Sequence, residues 1–308
     1  MLEERKQYYL DIIANTGAKR EVMIDSREIP EDYRAYLDAV ERKEYIIDVP
    51  AVGVPVKCVV SFAKNRTENC PVHVNAHGGG FVIQRNEDDD MYCAHLADGI
   101  RGIVVDVEYA LCPEYAFPVA FEQCYEAVKW TFGKCKEWTA DENRVSMGGH
   151  SAGGNLTAAV ALKANGSKDF KLCLQILDYA ALDFATDALD KPGNREPMMP
   201  VERSRAFTAF YVDDNLELTK SPMVSPAFAT DEMLAGLPKA LVITAGKCGF
   251  RFENEKYGRR MAEQGVEVSM KRFLNSRHGF SVRLVDEWRE AQDLIIRYIR
   301  ESVRKEKA

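Results

Sequence analysis

Residues 144–165 read RVSMGGHSAGGNLTAAVALKAN. The first part, RVSMGGH (144–150), has the character of a strand, and SAGGNLTAAVALKAN (151–165) that of a helix. Between them lies Gly149-His150-Ser151-Ala152-Gly153, of the form G-x-S-x-G. A serine on a tight strand-to-helix turn lifts its hydroxyl above the sheet. The helix that follows points its positive end at any anion formed there. Small neighbours are required because a Cβ beside the serine would collide with strand or helix. The plainer alternative is a Gly-rich turn with Ser151 as an N-cap. The strand–turn–helix setting favours the nucleophile elbow.

Outward from the elbow, strands and helices alternate. PVHVNA (71–76), GIVVDVEY (102–109), KLCLQILDY (171–179), KALVITAG (239–246) and VEVSMKRF (266–273) read as strands. DDDMYCAHLADGI (88–100), AFEQCYEAVKWTFGKCKEW (120–138), FENEKYGRRMAEQG (252–265) and residues 283–305 read as helices. EYIIDVPAV (44–52) and PVKCVVSFAK (55–64) predict an antiparallel pair ahead of them. The pattern predicts one α/β domain over 1–308, a mostly parallel eight-stranded sheet with helices on both faces. Residues 1–14 and 31–44 read as polar amphipathic helices, Pro30 preceding the second. Residues 183–230 break the rhythm with Pro192, Pro197, Pro200, Pro222 and Pro226. Such a long insertion between core strands is usually functional. We read a helical cap built from about 1–43 and 183–220.

Composition narrows the class. The 308 residues are 46% hydrophobic and 29% charged, as in soluble globular proteins, with a formal charge of −7. An acidic chain argues against nucleic-acid binding and against a polybasic membrane anchor. MLEERKQYYLDIIANTG lacks the apolar core of a signal peptide, and no apolar run is long enough to span a bilayer. The eight cysteines (58, 70, 93, 112, 124, 135, 173 and 248) form no C-x-x-C pair and read as reduced thiols of a cytoplasmic protein. His and Cys do not cluster at zinc spacing, and Asp88, Asp89 and Asp90 read as helix N-terminal charges rather than a metal site.

Two further motifs carry chemistry. His77-Gly78-Gly79-Gly80-Phe81 follows a strand. Its glycines let backbone N–H groups turn toward a ligand, so Gly78 and Gly79, with Ala152, are candidate oxyanion donors. The loop lacks the Lys-Ser/Thr ending of a P-loop. Of the five histidines only His278 follows Ser151. Chain order in such folds puts the base last, so His278 is the candidate base. His150, inside the elbow, is expected to orient the loop.

Together HGGGF (77–81), EYALCPEYAFPVAF (108–121), RVSMGGHSAGGNL (144–156), SPMVSPAF (221–228), GLPKALVITAG (236–246) and HGF (278–280) resemble the hormone-sensitive-lipase-like family of α/β-hydrolases. The resemblance runs from about residue 44 onward. It implies an α/β-hydrolase fold and a serine carboxylesterase acting on short-chain, acetyl-like esters, with no metal or cofactor. It also implies a homodimer formed through an edge strand. Ser151 would be the nucleophile, His278 the base, and Gly78, Gly79 and Ala152 the oxyanion donors. The family commonly has Asp at the position of His150.

A second departure concerns the acid. Cys248-Gly249-Phe250-Arg251-Phe252-Glu253 stands where the family has D-P/S-L-R-x-E, so Cys248 occupies the acid position. A thiol accepts hydrogen bonds weakly, and loss of the acid costs roughly 10⁴ in kcat in serine proteases. Three readings stay open. A carboxylate from Glu253, Asp178 or Asp183 substitutes; the site works as a Ser–His dyad; or the fold is a ligand-binding protein with impaired catalysis. Phe81, His150, Phe207, Phe210 and Tyr211 are candidate pocket residues, the last three at the spacing that also suits plain packing of the cap.

Overall fold

The computed structural model describes residue 1 and residues 3–25, 29–192 and 200–304. The strands are β1 (Val40–Ile47), β2 (Val56–Ala63), β3 (Cys70–Ala76), β4 (Ile103–Glu108), β5 (Ala140–His150), β6 (Leu174–Asp178), β7 (Lys239–Lys247) and β8 (Val268–Arg277). They form a single eight-stranded sheet in the order β1-β2-β4-β3-β5-β6-β7-β8. β1–β2 and β2–β4 pair antiparallel, and the remaining pairs are parallel. β3 and β6 are buried along their whole length, including the polar side chains of His73, Asn75, Gln175 and Asp178.

Helices cover both faces. They are α1 (Glu3–Asp25), α2 (Glu31–Arg34), α3 (Glu87–Ile100), α4 (Val119–Lys134), α5 (Ala152–Ser167), α6 (Val201–Tyr211), α7 (Asp231–Leu234), α8 (Arg251–Glu263) and α9 (Trp288–Glu301). Leu96 of α3 and Ile295 of α9 share one apolar core with Val104 and Leu241. Tyr125 of α4 and Leu156 of α5 share another with Val74 and Met147. α5 is buried along most of its length, so its Ala/Gly-rich sequence is what lets it lie close to the sheet.

Three expectations need correction. Residues 31–44 do not form one helix. Four residues of α2 and a 3₁₀ turn over Ala35–Ala39 lead directly into β1. β1 is an edge strand whose residues 41–44 are exposed, so its polar side chains imitate a solvated helix face. The first helix is longer than 1–14 and reaches Asp25. The last helix is shorter than 283–305, running over Trp288–Glu301, and residue 305 lies outside the described residues.

The insertion contributes α6, and α1 lies against it. Tyr9 meets Phe210 edge-on at 5.7 Å, and the Met1 amino group binds Asp213 at 3.0 Å. α6 in turn docks on the body. Tyr211 stacks on Phe81 with centroids 3.6 Å apart, and the Phe117 amide donates to the Tyr211 carbonyl at 2.8 Å. Residues 26–28 and 193–199 of the expected cap lie outside the described residues. Among the described residues no helix is long and apolar enough to cross a membrane.

The tightest backbone approach in the core is at Gly153. A Cβ there would collide with the Ala76 carbonyl and lie 2.5 Å from its carbon. Gly133 in α4 has open space around it. Gly153→Ala is therefore expected to lower stability by at least about 2 kcal/mol, whereas Gly133→Ala should be neutral or stabilising by about 0.5–1 kcal/mol. Urea midpoints measure both, and equal midpoints would contradict the packing described.

Candidate active site

Ser151 joins β5 to α5 with φ 56° and ψ −114°, a left-handed backbone rarely adopted outside glycine. Its amide donates to the Asp178 carbonyl at 3.0 Å, and its carbonyl accepts from the amides of Asn155 and Ala181, each at 3.1 Å. Neighbouring strand, helix and loop thus fix the turn. The hydroxyl stands 2.9 Å from Nε2 of His278, which directly follows β8. The rings of Tyr179 and Phe250 meet the imidazole edge-on at 4.8 and 5.3 Å and hold its plane.

Cys248 fills the third position. Its Sγ lies 3.3 Å from Nδ1 of His278, and the residue is fully buried. The three candidate substitute carboxylates are committed elsewhere. Glu253 accepts from the Leu182 amide at 2.7 Å and from Lys191 at 2.8 Å. Asp183 caps the amides of Ala185 and Thr186 at 3.0 and 2.9 Å. Asp178 accepts from the Ser281 hydroxyl at 2.5 Å. Their sequence proximity to the site failed as a guide because side-chain direction, set by helix phase and turn geometry, turns each carboxylate aside.

The glycine loop is braced from below. The His77 ring stacks on Tyr109 at 4.2 Å, and the Tyr109 hydroxyl donates to the His77 carbonyl at 2.8 Å. Gly79 and Gly80 have φ of 123° and 62°, and a Cβ on Gly79 would strike the Ile83 carbonyl. Arg85 anchors the end of the loop through Asp106 at 2.7 Å and Asp90 at 2.6 Å. Asp89 belongs to the N-terminal capping box of α3, so the acidic triplet starts a helix as its sequence suggests.

These elements surround a cleft of about 130 Å³. Gly78, Gly79, Ser151, Ala152 and His278 line it together. Of the candidate pocket residues, Phe81, His150 and Phe207 also line it. Phe210 and Tyr211 do not. They pack on α1 and on Phe81, the core role that the same spacing allows. The sequence reading missed Phe184, Arg203, Phe250 and Arg283, which complete the walls. It also missed Ser281, whose one sequence signal was its place just beyond His278.

Burial, opposed by Ser281 and His150, raises the Asp178 carboxyl from 3.8 to about 7. Folding therefore favours its protonated form. Between pH 4 and 7 the unfolded chain releases this proton while the folded chain keeps it, so stability falls as pH rises through that window. Asp178→Asn keeps an acceptor for Ser281 and should flatten the decline. Urea midpoints at several pH values within that window compare the slopes, and parallel slopes would sink the assignment.

The geometry agrees with three comparisons. Residues 73–282 match the family model described as the alpha/beta hydrolase fold. The chain is 32% identical over 220 residues to an arylesterase of Saccharolobus solfataricus, covering 70% of this chain and 69% of that one. A thermostable esterase from Pseudomonas putida ECU1011 superimposes with TM-score 0.81 at 26% identity, covering 99% and 98% of the two chains. A thermophilic carboxylesterase cloned from a metagenomic library, EstE1, gives TM-score 0.76 at 33% identity, covering 88% and 93%. With the elbow, the glycine loop and the terminal histidine drawn into one cleft, the chain belongs to the hormone-sensitive-lipase-like family of α/β-hydrolases.

Proposed function

We propose that this carboxylic-ester hydrolase cleaves short-chain acyl esters through an acyl-Ser151 intermediate. The observation that carries the reading is the 2.9 Å contact between Ser151 Oγ and His278 Nε2 at the floor of the cleft. His278 takes the Ser151 proton as Oγ attacks the ester carbonyl. The amides of Gly78, Gly79 and Ala152 receive the oxyanion. The protonated imidazole then gives its proton to the departing alcohol. Water, activated by the same His278, attacks the acyl-serine and releases the acid.

Cys248 enters through the tautomer. Nε2 can accept the Ser151 proton only if the neutral ring carries its hydrogen on Nδ1, and that N–H then donates to the Cys248 sulfur. A thiol that instead donates S–H to Nδ1 leaves the hydrogen on Nε2 and removes the base. A thiolate favours the productive tautomer and stabilises the imidazolium. The reading is thus a Ser151–His278–Cys248 relay whose third member is a weak acceptor when protonated.

The cleft volume supports a short acyl group. It is about 130 Å³, close to the roughly 150 Å³ of a cavity that holds benzene. The similarity to an arylesterase supports activated aryl esters as test substrates.

The test is hydrolysis of p-nitrophenyl acetate, butyrate and octanoate from pH 6 to 10. The native chain should hydrolyse acetate and butyrate well ahead of octanoate, and Ser151→Ala should abolish turnover. Cys248→Asp is expected to raise kcat at least about tenfold at pH 7, because a carboxylate holds the productive tautomer. Native kcat should rise on the alkaline side as the thiol ionises, and this rise should be missing from Cys248→Asp. Native turnover at background level with no labelling of Ser151 by an organophosphonate would favour the ligand-binding alternative.

A further inference from the structure

One carboxylate closes the glycine loop. Asn75, two residues before the loop, donates from Nδ2 to Oδ1 of Asp106 at 2.7 Å. Arg85, beyond the other end, donates from Nε to Oδ2 of the same group at 2.7 Å. Asn75 and Asp106 are register partners across β3 and β4, so this clasp sits where β3 launches the loop. The Arg85 guanidinium reaches on to Asp90 of α3 at 2.6 Å, and Arg42 of β1 binds the same Asp90 oxygen at 3.1 Å. The Asp106 side chain is 1% exposed and that of Arg85 12%. Neither residue lines the cleft.

Little else holds the closing stretch of the loop. The Gly79 carbonyl accepts from the amides of Val82 and Ile83 at 3.2 and 3.0 Å, and the Phe81 carbonyl accepts from the Cys112 amide at 2.8 Å. Beyond these bonds, Ile83 and Gln84 are exposed. Among the described residues neither Gln84 nor Arg85 takes part in a backbone–backbone hydrogen bond. The next backbone anchor is Asn86, the N-cap of α3. The hold on this stretch therefore falls to the Arg85 side chain.

We propose that the Asn75–Asp106–Arg85 clasp is a positioning device for ester cleavage: Asp106 and Arg85 set the direction of the Gly78 and Gly79 amides without touching the substrate. The oxyanion forms only on the way to the tetrahedral intermediate. Correctly aimed donors therefore act there more than on the bound ester, and their loss falls on kcat rather than KM. A displacement of about 1 Å caused by a change far from the chemistry can cost about 10²-fold. Arginine suits the task because its planar fork bonds two carboxylates at once in fixed directions.

The surroundings explain why the clasp has to be tested as a pair. Burial opposes the Arg85 charge, yet Asp106 and Asp90 outweigh it and hold the guanidinium protonated. Burial raises the Asp106 carboxyl, and Arg85 is the main group that opposes the rise. Removal of Arg85 alone strips a buried carboxyl of its counter-charge, which costs stability whatever the loop does.

The rate effect rests on the esterase reading above, whereas the hold on the loop is measured without it. The experiment uses the full chain and the double variant Arg85→Met/Asp106→Asn. That variant removes both charges and keeps an acceptor for Asn75, so its melting curve should lie close to the native one. Hydrogen exchange read by mass spectrometry should show lost protection over residues 77–86, with β5 and α5 unchanged. In steady-state hydrolysis of p-nitrophenyl acetate, kcat should fall at least about tenfold with KM within twofold. A pair that only stabilised the fold would give native kcat in a double variant of native stability. Native protection over 77–86, or native kcat in the folded double variant, would overturn the proposal. Should the double variant unfold, Arg85→Lys supplies the same two readings, because one ammonium keeps the charge without the fork. A native chain that neither turns over the ester nor labels at Ser151 overturns the esterase reading instead, and the exchange still decides the clasp.

Discussion

The left-handed backbone at Ser151 is held from three directions, and the site is arranged around that hold. The Asp178 carbonyl takes the Ser151 amide, while the amides of Asn155 and Ala181 take its carbonyl. The turn is possible only because α5 presses against the end of β3, where Gly149 and Gly153 leave no Cβ between helix and strand. A strained residue persists when its surroundings over-determine it, and here every surrounding element also carries part of the site. β3 delivers the glycine loop, β6 delivers Asp178 and Tyr179, and the Asn155 side chain binds the Ala181 and Val224 carbonyls at 2.8 Å each, tying the far end of the insertion to the elbow.

The candidate base is held by a separate device. His278 leaves β8 into a turn at Gly279, whose φ is 86°. Ser281 then reaches back to Asp178 and Tyr179 at 2.5 and 2.7 Å, and its carbonyl accepts from Gln292 of α9 at 2.6 Å. Gln292 also binds Tyr33 and His95 at 2.9 and 2.6 Å. A buried polar chain thus links α2, α3 and α9 to the loop that carries the histidine. Such networks specify one arrangement when every member is satisfied.

Electrostatically the site departs from a carboxylate-based relay at two places. A thiol replaces the anion behind His278, and an imidazole stands beside the elbow between two carboxyl groups. On the mechanism proposed above, the first change weakens the support of an imidazolium formed during attack.

The chain order, the elbow, the glycine loop and the terminal histidine were legible from residue types and spacing alone. Each of these motifs is local: glycine where no Cβ fits, serine between strand and helix, a lone histidine beyond the last strand. The core strands were legible because burial on both faces favours mostly apolar, β-branched runs such as IVVDVE of β4. The start of edge strand β1, residues 40–43, was misread as helix because an edge exposes polar side chains to water, as a helix face does. Its antiparallel pairing with β2 from residue 44 onward was read correctly. What the third relay member touches lay beyond the sequence. Asp178, Asp183 and Glu253 are all near in sequence to site elements, yet only the tertiary structure shows each carboxyl group bonded to other partners and the Cys248 sulfur against the imidazole. The pairing of Asp89 with His150 joins residues 61 positions apart on α3 and β5, and no local pattern encodes a contact made by folding.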